Sequence, residues 1–326
     1  MMTKTTQNQQ GRGKSDRAVW SGRLLLLFIS AFFLPLLAAC DRDSPRVDMA
    51  QVSNPSGVEQ TDGRPVLRIA VSAMISPQST RQYYEELLRL IAESMGRRAV
   101  FLQRKTYAEV NDLVKNRQVD LAFVCSGPYT QGHDEFGMEL LAVPVVHGEK
   151  VYHSYIIVHK DSKIKTFDEL KGKKFAFTDP QSNTGALVPT YMLAKRGETP
   201  KSFFREFFYS HSHDNSIKAV ADQLSDGAAV DSLIWEFFST IDPKLTEKTR
   251  IIEKSPPYGI PPIVVHPDLD PASKAVLKKI LLSLHQQAPA AAVLAKLQID
   301  RFAEGDDAMY DSVREMERWL ATRPGR

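Results

Sequence analysis

From Val66 onward, short β-branched runs alternate with stretches in which apolar residues recur every three or four positions. That alternation constrains the fold more than any other feature of the chain. Residues 66–71 are a strand. A helical pattern over about 79–95 follows, carried by Tyr84, Leu87, Leu88, Ile91 and Met95. Residues 99–102 form a second strand, 107–115 a short helix with Val110, Leu113 and Val114 on one face, and 119–124 a third strand. The order βαβαβ predicts a largely parallel sheet covered by helices, because parallel neighbours need a long crossover. Residues 140–146 and 152–158 are further strands, joined near Gly148. The pattern then restarts, with strands expected at 174–177, 207–209 and 228–230 and helices at 185–195, 216–224 and 233–238.

Residues 250–253 and 263–265 read as strands returning to the first half. The apolar stripe of Met309, Val313, Met316 and Leu320 is expected to pack on that half. The expectation is an α/β protein of two lobes, each a mixed, mainly parallel sheet flanked by helices. Lobe 1 takes residues 66–150 and 250–326, and lobe 2 takes 151–249. Ligands of open α/β sheets bind beyond the carboxyl ends of the strands, so two facing lobes enclose a cleft that closes by hinge motion.

The first 65 residues belong to neither lobe. Lys4, Arg12, Lys14, Arg17 and Arg23 precede an apolar run from Leu24 to Leu37, and Ala38-Ala39-Cys40 closes it. A basic start, a short apolar run and small residues before the break describe an export signal, too short and wrongly flanked for a stable span. A cysteine directly after the small pair predicts a lipoprotein: cleavage after residue 39, lipid on Cys40, and a periplasmic protein tethered to a membrane. Asp41 points to the inner membrane. Residues 41–65 are polar and poor in large apolar groups, a flexible tether.

Removing residues 1–39 takes away a net charge of +4 and leaves −1 of the whole chain's +3. The basic balance therefore belongs to the signal, and no nucleic-acid surface is implied. With Cys40 acylated, Cys125 has no partner in the chain for a disulfide. No cofactor or metal motif is expected, and the protein is expected to act as a monomer.

Candidate ligand contacts lie where strands end. Ser182, Asn183 and Thr184 follow a strand and open a helix, whose first free N–H groups suit an anion; equally, they are ordinary capping residues. Cys125, Ser126 and Tyr129 occupy the equivalent place in the first lobe. Ser126 and Tyr129 can donate to an anion or serve turn and packing roles. Cys125 is either a soft ligand or a small buried side chain. His213 can donate to an oxyanion, Asp214 reads as an N-cap, and Asp231 can meet a protonated ligand, orient His213 or cap a helix. Ser72 to Ser76 reads as turn chemistry.

The run 179–185 (Asp-Pro-Gln-Ser-Asn-Thr-Gly), then Ser212-His213-Asp214, then Val230-Asp231, resembles the phosphate/phosphite/phosphonate family of ABC-transporter solute-binding proteins, of type 2 periplasmic fold and PhnD-like. The likeness spans about 66–303. It implies a small phosphorus oxyanion held by Ser182, Thr184 and His213, with Tyr129 as the facing aromatic donor, and an ABC permease as partner. Relatives that bind aminoalkyl phosphonates carry an acid in the segment corresponding to 258–262, where this chain has Tyr-Gly-Ile-Pro-Pro. An arsenite-sensing branch uses a cleft cysteine and a sensor histidine kinase. Three readings follow: a lipid-anchored receptor for transport, a sensor subunit that uses Cys125, and, remotely, an enzyme with Cys125 as nucleophile and His213 as base.

Overall fold

The structure, a computed structural model, describes residues 63–323. The signal, Cys40 and almost all of the tether lie outside the described residues. The first lobe opens with β1 (Val66–Val71), α1 (Pro77–Ser94), β2 (Arg98–Leu102), α2 (Tyr107–Lys115), β3 (Leu121–Phe123), α3 (Ser126–Phe136) and β4 (Glu139–Val145). The two-residue β5 (Val151–Tyr152) crosses to the second lobe. There follow β6 (Ser154–His159), β7 (Lys174–Phe177), α4 (Val188–Lys195), α5 (Pro200–Phe203), β8 (Glu206–Tyr209), α6 (His213–Ala221), β9 (Gly227–Asp231), α7 (Ser232–Ile241), α8 (Pro243–Thr246) and β10 (Thr249–Lys254). β11 (Tyr258–Gly259) crosses back beside β5. The chain ends with β12 (Ile263–Val265), α9 (Pro271–Ser283), α10 (Ala288–Lys296), β13 (Arg301–Ala303) and α11 (Asp311–Ala321).

The first sheet has the order β13-β4-β12-β3-β1-β2 and the second β10-β6-β9-β7-β8. β1 pairs in parallel with β2 and β3, and β7 with β8 and β9. β12 runs against both β3 and β4, and β13 against β4, so four of the six strands point one way. In the second sheet only β6 is reversed. β5 and β11 pair with each other alone and form the hinge.

Two expectations are corrected here. β10 does not return to the first lobe: it pairs with β6, Arg250 opposite Val158 and Ile251 opposite Ile157. β6 is buried along nearly its whole length, so its backbone needs a neighbour on both sides, and β10 supplies the outer one. The second lobe therefore runs to Lys254. The C-terminal stripe divides: Met309 packs on the first lobe as expected, and the rest does not stay there. Val313 and Met316 of α11 cluster with the hinge tyrosines Tyr152 and Tyr258 and with Val188 of α4. Trp319 meets Tyr191 of α4 edge-on at 5.0 Å. On its other side Glu317 accepts hydrogen bonds from Thr130 and Gln131 of α3. α11 thus braces the hinge and both lobes.

Helix α3 goes unpredicted, as do the single-turn α5 and α8. Ser126-Gly127-Pro128 reads as a turn, yet α3 starts at Ser126, directly beyond β3. A proline in a first helical turn loses no intrahelical hydrogen bond, so the run opens the helix rather than breaking it.

Candidate functional site

The site is built from the second lobe outward. β7 ends at Phe177, and the chain turns through residues 178–182 into a wide π-type turn, Asn183–Leu187, before α4 begins. Such widened turns are frequent at functional sites. Ser182 caps it, its Oγ accepting from the Gly185 N–H at 3.0 Å. Gly185 is needed for packing, since a Cβ there would lie 2.5 Å from the Thr178 side chain. Thr184 is fully buried, and its Oγ1 has no hydrogen-bond partner.

His213 opens α6, with Ser212 as the cap. The backbone N–H of Asp231 donates to His213 Nδ1 at 3.0 Å, and Thr178 Oγ1 lies 3.1 Å from the same nitrogen. An N–H can only donate, so Nδ1 is the acceptor and the ring hydrogen sits on Nε2. Nε2 is buried and unpartnered. Burial pushes the His213 pKa down to about 3, so the ring is a neutral donor at physiological pH. Asp231 therefore orients His213, but through its backbone. Its carboxylate caps α7: Oδ1 accepts from the Leu233 N–H at 2.8 Å, while Oδ2 is buried and unpartnered. Burial raises the Asp231 pKa to about 7, and nearby Glu236 adds to the shift.

The first lobe contributes Ser72 beyond β1, Tyr107 at the start of α2, and Tyr152 on the hinge. The Ser72 Oγ and the Tyr107 hydroxyl are buried without partners. Tyr107 lies beside Ser182 of the opposite lobe. The Tyr152 hydroxyl accepts from Asn183 Nδ2 at 3.1 Å and stands 3.6 Å from the Cys125 sulfur. Asn183 Oδ1 remains unpartnered.

The lobes meet directly across the cleft. The Asp214 carboxylate accepts from the Ser76 N–H at 2.9 Å and the Ser79 hydroxyl at 3.2 Å, at the start of α1. Asp179 accepts from the Tyr107 N–H at 3.2 Å, at the start of α2. The His213 N–H donates to the Met74 carbonyl at 2.9 Å. Asp214, expected as a cap of its own helix, instead caps one from the other lobe, and Ser212 caps α6. Gly127 faces Gln181 so closely that a Cβ would sit 2.3 Å from the Gln181 carbonyl oxygen.

Of the residues expected to hold a ligand, Ser182, Asn183, Thr184, His213 and Asp231 come together at one buried place. Two do not serve as expected. Ser126 donates its hydroxyl proton to the Gly259 carbonyl at 2.6 Å, so it locks α3 to the hinge. Tyr129 donates to Asp307 at 2.8 Å and packs on Tyr310, away from the cleft. The aromatic hydroxyl beside Ser182 is that of Tyr107. Its sequence signal was present, since the Thr106–Glu109 capping box sets it in the first turn of a helix directly beyond a strand. Cys125 is fully buried as the N-cap of α3, and burial raises its thiol pKa. Its polar neighbours are the Tyr152 hydroxyl and the backbone of Asn183 and Gly127 rather than His213.

The set is chemically specific. Ser72, Tyr107, Thr184 and His213 present buried hydrogen-bond donors, Asn183 an acceptor, and Asp231 a carboxyl able to do either. No Lys or Arg is among the buried groups of the described residues. Each unpaired buried polar group costs about 1–3 kcal/mol. Converging neutral donors with one or two acceptors match a small, partly protonated oxyanion, whose charge is stabilised by oriented dipoles.

Similar proteins agree with this chemistry. The family model described as the periplasmic substrate-binding protein of a phosphonate ABC transporter matches residues 69–310. The phosphonates-binding periplasmic protein of Escherichia coli (strain K12) is 23% identical over 255 residues, 77% of this chain and 75% of that protein. A binding protein component of a phosphonate ABC transporter from Pseudomonas aeruginosa is 26% identical with a TM-score of 0.75, covering 79% of this chain and 87% of that one. The fold is shared with PhnD1 of Prochlorococcus marinus (strain MIT 9301), solved with methylphosphonate, at a TM-score of 0.72, 20% identity and coverage of 79% and 99%. With about three quarters of its length matched by the family model, this chain belongs to the periplasmic substrate-binding proteins of phosphonate ABC transporters.

Proposed function

We propose that this protein captures a phosphonate-class oxyanion between its lobes and presents it to an inner-membrane ABC permease, held at the membrane by lipid on Cys40. The observation that carries the reading is the convergence of unpartnered buried groups from both lobes: Ser72 and Tyr107 from one, Thr184, His213 and Asp231 from the other. Phosphonate oxygens accept from the hydroxyls and from His213 Nε2–H. A P–OH donates to Asn183 or Asp231. Because the donors belong to both lobes, the ligand favours the closed arrangement, and closure is what a permease can recognise.

Cys125 serves as a packed N-cap residue. Its raised thiol pKa and hinge-side neighbours favour neither a metalloid ligand nor a nucleophile. Transport is therefore preferred to arsenite sensing and to catalysis. The test is calorimetric titration of the full chain in detergent with methylphosphonate, phosphite and phosphate. Thr184→Ala and His213→Ala are each expected to weaken the best ligand about tenfold or more, in line with a lost hydrogen bond to a charged group; the unfolding midpoint is expected to be nearly kept in Thr184→Ala and lowered in His213→Ala, which strips the Asp231 N–H of its acceptor. Unchanged affinity in both variants would remove the proposed site.

A further inference from the structure

The donor cluster has an apolar annex. A cavity of about 80 Å³ lies between the first lobe's sheet and α7, and Asp231 is part of its wall. Met74, Ile75 and Phe123 close it from the first lobe, Ile234 and Phe237 from the second, and Pro262 from the chain returning after the hinge. Among the described residues only Asp231 and Tyr84 bring polar side chains to it, and no Lys or Arg lines it. Asp231 is 1% exposed with its Oδ2 unpartnered, and its backbone N–H holds His213 of the donor cluster. Asp231 thus stands between the donor cluster and an apolar cavity. An inorganic oxyanion uses only the first.

We propose that the preferred ligand is an organophosphonate with an uncharged hydrocarbon substituent of about three carbons, its oxygens in the donor cluster and its chain in this annex. The inference rests on the receptor reading above. A cavity of about 150 Å³ takes benzene; one of about 80 Å³ has room for about three methylene-sized groups. An ammonium at the end of such a chain would carry three N–H donors into a cavity whose walls, besides Asp231 and Tyr84, are apolar, and the donors left unpaired disfavour it.

The experiment is a calorimetric series on the full chain in detergent with phosphite, methyl-, ethyl-, propyl- and hexylphosphonate, and 2-aminoethylphosphonate. Affinity is expected to rise from methyl to propyl by about fourfold per carbon, the value of a buried methylene, and to fall at hexyl. Ethylphosphonate is expected to bind more tightly than its amino derivative. Equal binding of methyl-, ethyl- and propylphosphonate overturns the annex and leaves the receptor reading standing, as does preference for the amine. Failure of every anion to bind overturns both. Ile234→Phe, which fills the annex, is expected to bring the propyl-to-methyl affinity ratio towards one. An unchanged ratio counts against the proposal, and if the variant does not fold, the chain-length series on the native protein decides alone.

Discussion

His213 and Asp231 share one hydrogen bond and titrate in opposite senses. Burial keeps His213 neutral down to about 3, whereas an unfolded histidine gains its proton near 6.5. The unfolded state therefore binds more protons below about 6.5, and this residue's stabilisation is lost as pH falls towards 3. Asp231 holds its proton up to about 7, whereas an unfolded aspartate loses it near 3.9. Its stabilisation is full below about 4 and is lost as pH rises towards 7. Between pH 4 and 6.5 the two slopes oppose each other. Asp231→Asn is expected to leave only the histidine slope, with stability falling on acidification. His213→Gln is expected to leave only the aspartate slope, with stability rising. The changes are of order 3–4 kcal/mol across the window, measurable by urea unfolding at pH 4.5 to 7.5. Parallel profiles for the two variants would contradict the assigned protonation states. Ligand binding should also weaken above pH 7 in the native protein, because an ionised Asp231 repels an anion, and Asp231→Asn should flatten that dependence. That Thr184 and His213 lie in turns opening helices beyond strands was legible in the sequence, because strand ends and helix starts are locally determined. The partners that Ser126 and Tyr129 take were not legible because a hydroxyl's partner is not local: Gly259 lies 133 residues from Ser126, and Asp307 lies 178 residues from Tyr129.

At the scale of elements, two helices of the first lobe begin against carboxylates of the second. Asp214 sits at the start of α1 and Asp179 at the start of α2. A carboxylate at a helix start adds about 0.3–1 kcal/mol, so these contacts favour closure modestly and leave the decision to ligand. Gly127 is the stricter requirement. Its α3 turn touches the Gln181 backbone, and any Cβ must push the lobes apart. Gly127→Ala is expected to weaken ligand binding at least tenfold while the unfolding midpoint changes little. Small-angle scattering should show the open dimensions even with ligand present. A compact, ligand-bound Gly127→Ala protein would show that the backbone contact does not govern closure. The sequence showed Gly127 as turn chemistry, since nothing local to Ser126-Gly127-Pro128 indicates that another lobe arrives there.

In the whole molecule, two β-crossings and one helix govern how the lobes relate. β5 and β11 make the hinge, and α11 lies over it, with Met316 packed among Tyr152, Val188 and Tyr258. The Tyr258 hydroxyl donates to the Met316 sulfur at 3.6 Å. Met316→Ala is expected to destabilise the protein by about 2–4 kcal/mol, and to loosen both lobes because the cavity opens at their junction. Thermal unfolding should then broaden or split, whereas a small, single shift would mean that α11 serves only one lobe. The alternation of strand and helix, the two-lobed α/β class and the polar turn at 179–185 were determined by the sequence alone, because periodicity, capping and strand-end chemistry act over a few residues. Tertiary structure alone decided that β10 joins the second lobe, that α11 straddles the hinge, that Tyr107 and not Tyr129 lies beside Ser182, and that an apolar cavity opens beside Asp231. Each depends on surfaces distant in sequence packing together. Burial then decides which hydroxyl is spent on structure and which is left for a ligand.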